Sequence, residues 1–115
     1  MLRRTVVRVV LLAVVLSLSG AELMAQKRIK FRRGASAATV RGRIGANGYL
    51  EYLISGREGQ LMSIEITSRN NGVVVNAGTA SGKSFSVSMT GGDHLLSVVN
   101  TKGSATNYTL TVSIQ

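Results

Sequence analysis

From Gln26 onward the apolar side chains recur at every second position, and that period of two decides the fold class. Phe85-Ser86-Val87-Ser88-Met89 alternates apolar and hydroxyl residues, and Tyr108-Thr109-Leu110-Thr111-Val112-Ser113-Ile114 does the same. Met62, Ile64 and Ile66 share one parity, with Ser63, Glu65 and Thr67 on the other. Successive side chains of a strand point to opposite faces, so each such run has one dry face and one wet face. No stretch of this region carries a helical period.

Turn formers separate the runs: Gly34-Ala35-Ser36, Gly45-Ala46-Asn47-Gly48, Gly56-Arg57-Glu58-Gly59, Asn70-Asn71-Gly72, Gly78 to Gly82, Gly91-Gly92 and Lys102-Gly103-Ser104. Asn-Gly reads as a hairpin signal, because a tight turn needs positive φ at its central residues. Eight strands are expected, over about 27–32, 39–44, 49–55, 60–67, 73–77, 83–89, 93–100 and 107–114. Eight short antiparallel strands with one apolar face each predict an all-β, two-sheet antiparallel sandwich, jelly-roll-like or Greek-key in its connections.

Residues 1–25 follow the three-part pattern of an export signal. Arg3, Arg4 and Arg8 supply the positive start, and Val9 to Leu18 the apolar stretch. That stretch is shorter than the roughly 20 residues of a membrane-spanning helix, so no stable span is expected after processing. Ser19-Gly20-Ala21 and Leu23-Met24-Ala25 both fit a cleavage site; the second gives the better length and leaves residues 26–115 as a single domain. The expected location is periplasmic or secreted. Removing Arg3, Arg4, Arg8 and Glu22 with the leader leaves 11 cations against 4 acids, a net +7. Such a field favours anionic partners. Export makes nucleic acid an unlikely one, and aromatic residues at 4% disfavour a base-stacking platform.

Several chemistries are excluded outright. With no cysteine there is no disulfide scaffold, thiol nucleophile or cysteine metal site. A single histidine, His94, rules out a histidine metal cluster. No nucleophile elbow, zinc-protease motif or phosphate loop occurs. Glu51 and Glu65 could face the same wet sheet surface, but nothing marks a cleft between them; a glycosidase needs two carboxylates about 5–9.5 Å apart across one bond. The expectation is a non-enzymatic protein without metal or cofactor.

Two features are candidates for binding. Lys27, Arg28, Lys30, Arg32 and Arg33 place five cations in seven residues, with Arg28, Lys30 and Arg32 opposite Ile29 and Phe31. This is either a stripe that docks on an acidic partner or a solvated edge whose charges prevent sheet-to-sheet aggregation. His94, beside Gly91-Gly92, is either a pH-sensitive contact or a polar strand end.

Four segments carry a family likeness: Ile29 to Ser36, the strand-turn-strand Tyr52 to Ile64 with Gly59-Gln60 in its turn, Gly92-Asp93-His94-Leu95-Leu96-Ser97-Val98, and Asn107-Tyr108-Thr109-Leu110-Thr111-Val112. Together they resemble the periplasmic inhibitors of g-type lysozyme, and are similar to the broader prepeptidase C-terminal β-sandwich domains. The resemblance implies a sandwich whose loops at one end enter the enzyme's cleft. The matching positions are Thr90, Gly91, Gly92, Asp93 and His94 in one loop, and Lys102 and Gly103 in the other. His94 stands where that family has an aromatic hydroxyl, and Lys102 stands alone where the inhibitors carry several arginines. The implied partner is a g-type lysozyme or another anionic component of the envelope. The alternative is an accessory or structural envelope module that binds glycan or protein.

Overall fold

The alternating runs form nine strands in the computed structural model, which describes residues 26–115. The expected leader lies outside the described residues. The strands are β1 (Lys27–Arg28), β2 (Ala37–Ile44), β3 (Tyr49–Gly56), β4 (Leu61–Ser68), β5 (Val73–Ala77), β6 (Ala80–Gly82), β7 (Ser84–Ser88), β8 (Gly92–Asn100) and β9 (Thr106–Ile114). One sheet has the order β1-β3-β8-β5-β6 and the other β2-β9-β4-β7. Every pairing is antiparallel except β1 with β3.

Without β1, the chain is one long hairpin rolled up. β5 pairs β6 at the tip, and the outer pairs are β4 with β7, β3 with β8 and β2 with β9. The roll closes where β9 meets β4 and β8 meets β5. These are the connections of an eight-stranded jelly roll.

The topology gives the Asn-Gly turns a different job from the one expected. Asn47 and Asn71 do adopt positive φ, 54° and 56°. Yet β2 and β3 lie in different sheets, as do β4 and β5. Each Asn-Gly is therefore an arch over the end of the sandwich, not a hairpin. The φ preference is local, whereas the partner of each flanking strand is chosen by burial of its apolar face.

Two expected elements differ. The strand over 27–32 is cut to Lys27–Arg28, followed by one further bond from Ile29 N–H to the Leu53 carbonyl (2.8 Å). The chain then leaves the sheet and turns, with Ala35 N–H bonded to the Arg32 carbonyl (2.8 Å). The period-two burial outlasts the pairing, since Ile29 is buried and Phe31 packs against the core. The segment from Gly78 to Gly82, read as turn alone, contains β6, three residues too short to show a period.

The core lies between the sheets. Tyr52, Ile54, Val73, Val75, Leu96 and Val98 come from one sheet, and Met62, Ile64, Ile66, Tyr108, Leu110 and Val112 from the other, all buried. The facing read from alternation therefore holds in β4 and β9. Because nearly every link crosses between sheets, the loops gather at two ends, and each end is a cluster of arches.

Candidate binding ends of the sandwich

The first end carries the β3–β4 turn, the β7–β8 link and the N-terminal arm. Gln60 organises it. Its side-chain carbonyl accepts from Arg57 N–H (2.7 Å), and its backbone carbonyl accepts from Met89 N–H (2.8 Å). Gly59 N–H returns a bond to the Met89 carbonyl (3.0 Å). Met89 is buried, so the two links are pinned to each other and to the core.

Next to this turn, β3 and β8 pair in the register Ser55 opposite Asp93. Arg28, one strand over, grips Asp93 with both terminal nitrogens: Nη1 to Oδ1 at 2.9 Å and Nη2 to Oδ2 at 2.8 Å. Arg28 Nη1 also donates to Ser55 Oγ (2.9 Å), and Ser55 Oγ–H donates to Asp93 Oδ1 (2.6 Å). The bond from Arg28, seconded by that from Ser55, holds the Asp93 carboxyl well below the usual carboxylate range. The same bond raises the Arg28 guanidinium. A bidentate fork fixes geometry as well as charge. On the far side of Asp93, His94 Nε2–H donates to the Thr90 carbonyl (2.8 Å) and closes the link from Thr90 to His94. A carbonyl only accepts, so the proton is on Nε2.

The second end carries the β2–β3, β4–β5 and β8–β9 arches, and one buried amide ties them together. Asn100 Nδ2 donates to the Gly45 carbonyl (2.9 Å) and the Ser104 carbonyl (2.8 Å). Its Oδ1 accepts from Lys102 N–H (3.1 Å) and Asn70 Nδ2 (3.3 Å). Thr101 Oγ1 donates to the Gly72 carbonyl (2.7 Å). The Lys102 stem lies where a Cβ on Gly72 would stand, so residue 72 has to be glycine for this approach.

These positions separate the two loops that the family likeness put together. Thr90, Gly91, Gly92, Asp93 and His94 lie at the start of β8, at the first end; Lys102 and Gly103 follow its last residue, at the second. Nine residues of strand span roughly 27 Å. The two loops form separate surfaces. The reason is topological: both flank the same strand.

The basic residues also divide. Arg28 is committed to Asp93, while Lys27, Lys30, Arg32 and Arg33 are exposed on the arm. Glu51 lies on β3 and Glu65 on β4, in different sheets, so they do not share the surface that parity allowed.

Two contributors were missed in the sequence. The Arg28–Asp93 pair joins residues 65 apart, with no local signal. Asn100 did leave one: it shares the parity of Leu96 and Val98, so it points inward, and a buried amide must find partners.

No family model and no curated protein matches the chain. Solved structures do. The periplasmic inhibitor of g-type lysozyme from Aeromonas hydrophila superposes with a TM-score of 0.69 at 19% identity, over 79% of this chain and 96% of that one. The chain has the fold of these inhibitors. The Salmonella Typhimurium inhibitor gives 0.63 at 20% identity, over 78% and 97% of the two chains. The pre-peptidase C-terminal domain of a Bacillus anthracis collagenase gives 0.62 at 16% identity, over 79% and 95%. Both likenesses read from the sequence thus appear among the solved structures. At these identities they speak for the fold, and the choice of partner rests on the loops.

Proposed function

We propose that the chain is an exported binding protein that blocks a g-type lysozyme, its leader ending at Ala25 and its envelope location following from that export. The first end of the sandwich is the docking surface. The observation that supports the reading is the inhibitor fold shared over 96% of an inhibitor's length, taken with the Thr90–His94 loop that resembles the inhibitors in sequence. The Arg28–Ser55–Asp93 network and the Gln60–Met89 clamp suit this end to docking, since both tether an exposed turn. A rigid loop loses less entropy on docking. Lys102 and Gly103, beyond the far end of β8, are left out of the proposed surface. The reading is of binding, with no catalytic residue.

The pre-peptidase domain match supports a second reading, an envelope module that binds glycan or protein. A lysis assay separates the two. The purified protein is titrated against g-type, chicken-type and invertebrate-type lysozymes on cell-wall substrate. Inhibition confined to the g-type enzyme is expected. Indifference of the g-type enzyme to a folded sample transfers the assignment to the module.

A further inference from the structure

A groove opens on the side of the sandwich between the β1/β3 edge and the β2 edge. Lys27 lines one wall, Arg41 and Arg43 the other, and Tyr52 and Tyr108 the floor. Among the described residues the single ion pair is Arg28–Asp93, so these three cations have no carboxylate partner. One side of Arg43 is held by Asn107 Oδ1, a neutral acceptor (3.3 Å).

The β2 edge adds backbone donors. Ile114 N–H bonds to the Ser36 carbonyl, so the even-numbered residues of β2 point their polar groups toward β9. In an antiparallel ladder the odd-numbered residues then point the other way. The N–H groups of Arg41 and Arg43, together with their carbonyls, therefore face the open edge beside the groove.

The floor adds a hydroxyl. Tyr52 and Tyr108 are both buried, with their oxygens 2.6 Å apart and no other side-chain partner among the described residues. Each hydroxyl carries one proton. One lies between the two oxygens, and the other lacks a protein acceptor. Burial, with its hydrogen bond to Tyr52, raises the Tyr108 hydroxyl above the ordinary tyrosine range, so Tyr108 stays protonated. Gly42 makes room for the Tyr108 side chain here: a Cβ there would stand 2.7 Å from Tyr108 Oη.

Cations on two walls, strand-edge N–H groups and a spare hydroxyl proton all ask for an acceptor with several oxygens. One guanidinium fork saturates a carboxylate, whereas a phosphate keeps oxygens for a second wall. We propose that this groove binds a phosphate ester, with Lys27, Arg41 and Arg43 meeting the charge and the tyrosine pair donating from the floor. Arg28 also borders the groove, where it is committed to Asp93 of the first end; the proposal does not rest on the lysozyme reading.

The test is an amide-resonance titration of the protein, expressed from the full chain, with glycerol phosphate. Saturable shifts are expected at Arg41, Gly42 and Arg43. The double substitution Arg41→Gln/Arg43→Gln should raise the apparent Kd more than about ten-fold. Arg69→Gln/Lys83→Gln removes the same charge elsewhere and should change it less than about two-fold. Lys27→Gln, on an exposed residue of the opposite wall, checks the result independently of β2. Retention on phosphatidylglycerol vesicles but not phosphatidylcholine ones, lost in the first double variant, would assign a lipid headgroup. Response to glycerol phosphate without such retention would assign a soluble or polymeric ester; either supports the groove. Equal losses in the two double variants, absence of saturable shifts, or binding of polyglutamate with glycerol phosphate silent would overturn it.

Discussion

Asn100 shows how much one side chain decides at the second end. Its amide serves the Gly45 and Ser104 carbonyls and receives the Lys102 and Asn70 donors, so three arches share one anchor. Asn100→Ala should cost about 1–3 kcal/mol, because those groups lose their partner inside the protein. Urea unfolding of the two proteins reads that difference. At the first end, Asp93 makes stability depend on pH. Its folded-state pKa is depressed, so its contribution is present above the unfolded value, near about 3.9, and is lost as pH falls through the lower folded value. Asp93→Asn should therefore be less stable than the parent from neutral pH down to about 4, with the gap closing on further acidification. A gap that persists unchanged at the acid limit would show that the carboxylate charge is not what the network uses. Of these two residues, Asp93 was named through the family likeness without its partner, and Asn100 was not named although its parity with Leu96 and Val98 turns it inward. Asp93 is identified by a partner that only folding brings near.

The strands were readable where the alternation is long. Four inward residues of β9 were assigned from parity, and Tyr108, Leu110 and Val112 are buried while Ile114, at the strand's end, is partly so. Leu110→Ala should destabilise by roughly 2–5 kcal/mol through transfer and cavity terms. Thr111→Ala, on the opposite face, should change stability by less than about 1 kcal/mol. Thermal or chemical melts of both variants test the register, and equal costs would contradict it. The short elements were not readable, since β1 pairs through two residues and β6 spans three. Nor was the role of Asn47 and Asn71: positive φ is a local property, but whether a turn makes a hairpin or an arch depends on which sheet takes the next strand.

At the scale of the molecule, alternation and turn spacing were enough for a two-sheet sandwich, and the rolled hairpin then explains why loops flanking one strand part to opposite ends. That geometry sets the two loops implied by family likeness at opposite ends of β8, and the proposed docking surface is the Asp93–His94 end. The excess of cations should speed encounter with an acidic cleft, so the association rate should fall as salt rises; stopped-flow mixing at two ionic strengths measures it. The most direct test is the Kd for a g-type lysozyme of three proteins, the parent, His94→Ala and Lys102→Ala. The account predicts tight binding by the parent, a loss of about ten-fold or more for His94→Ala, and a change within about two-fold for Lys102→Ala. Absence of binding by the parent, or a loss confined to Lys102→Ala, would contradict it.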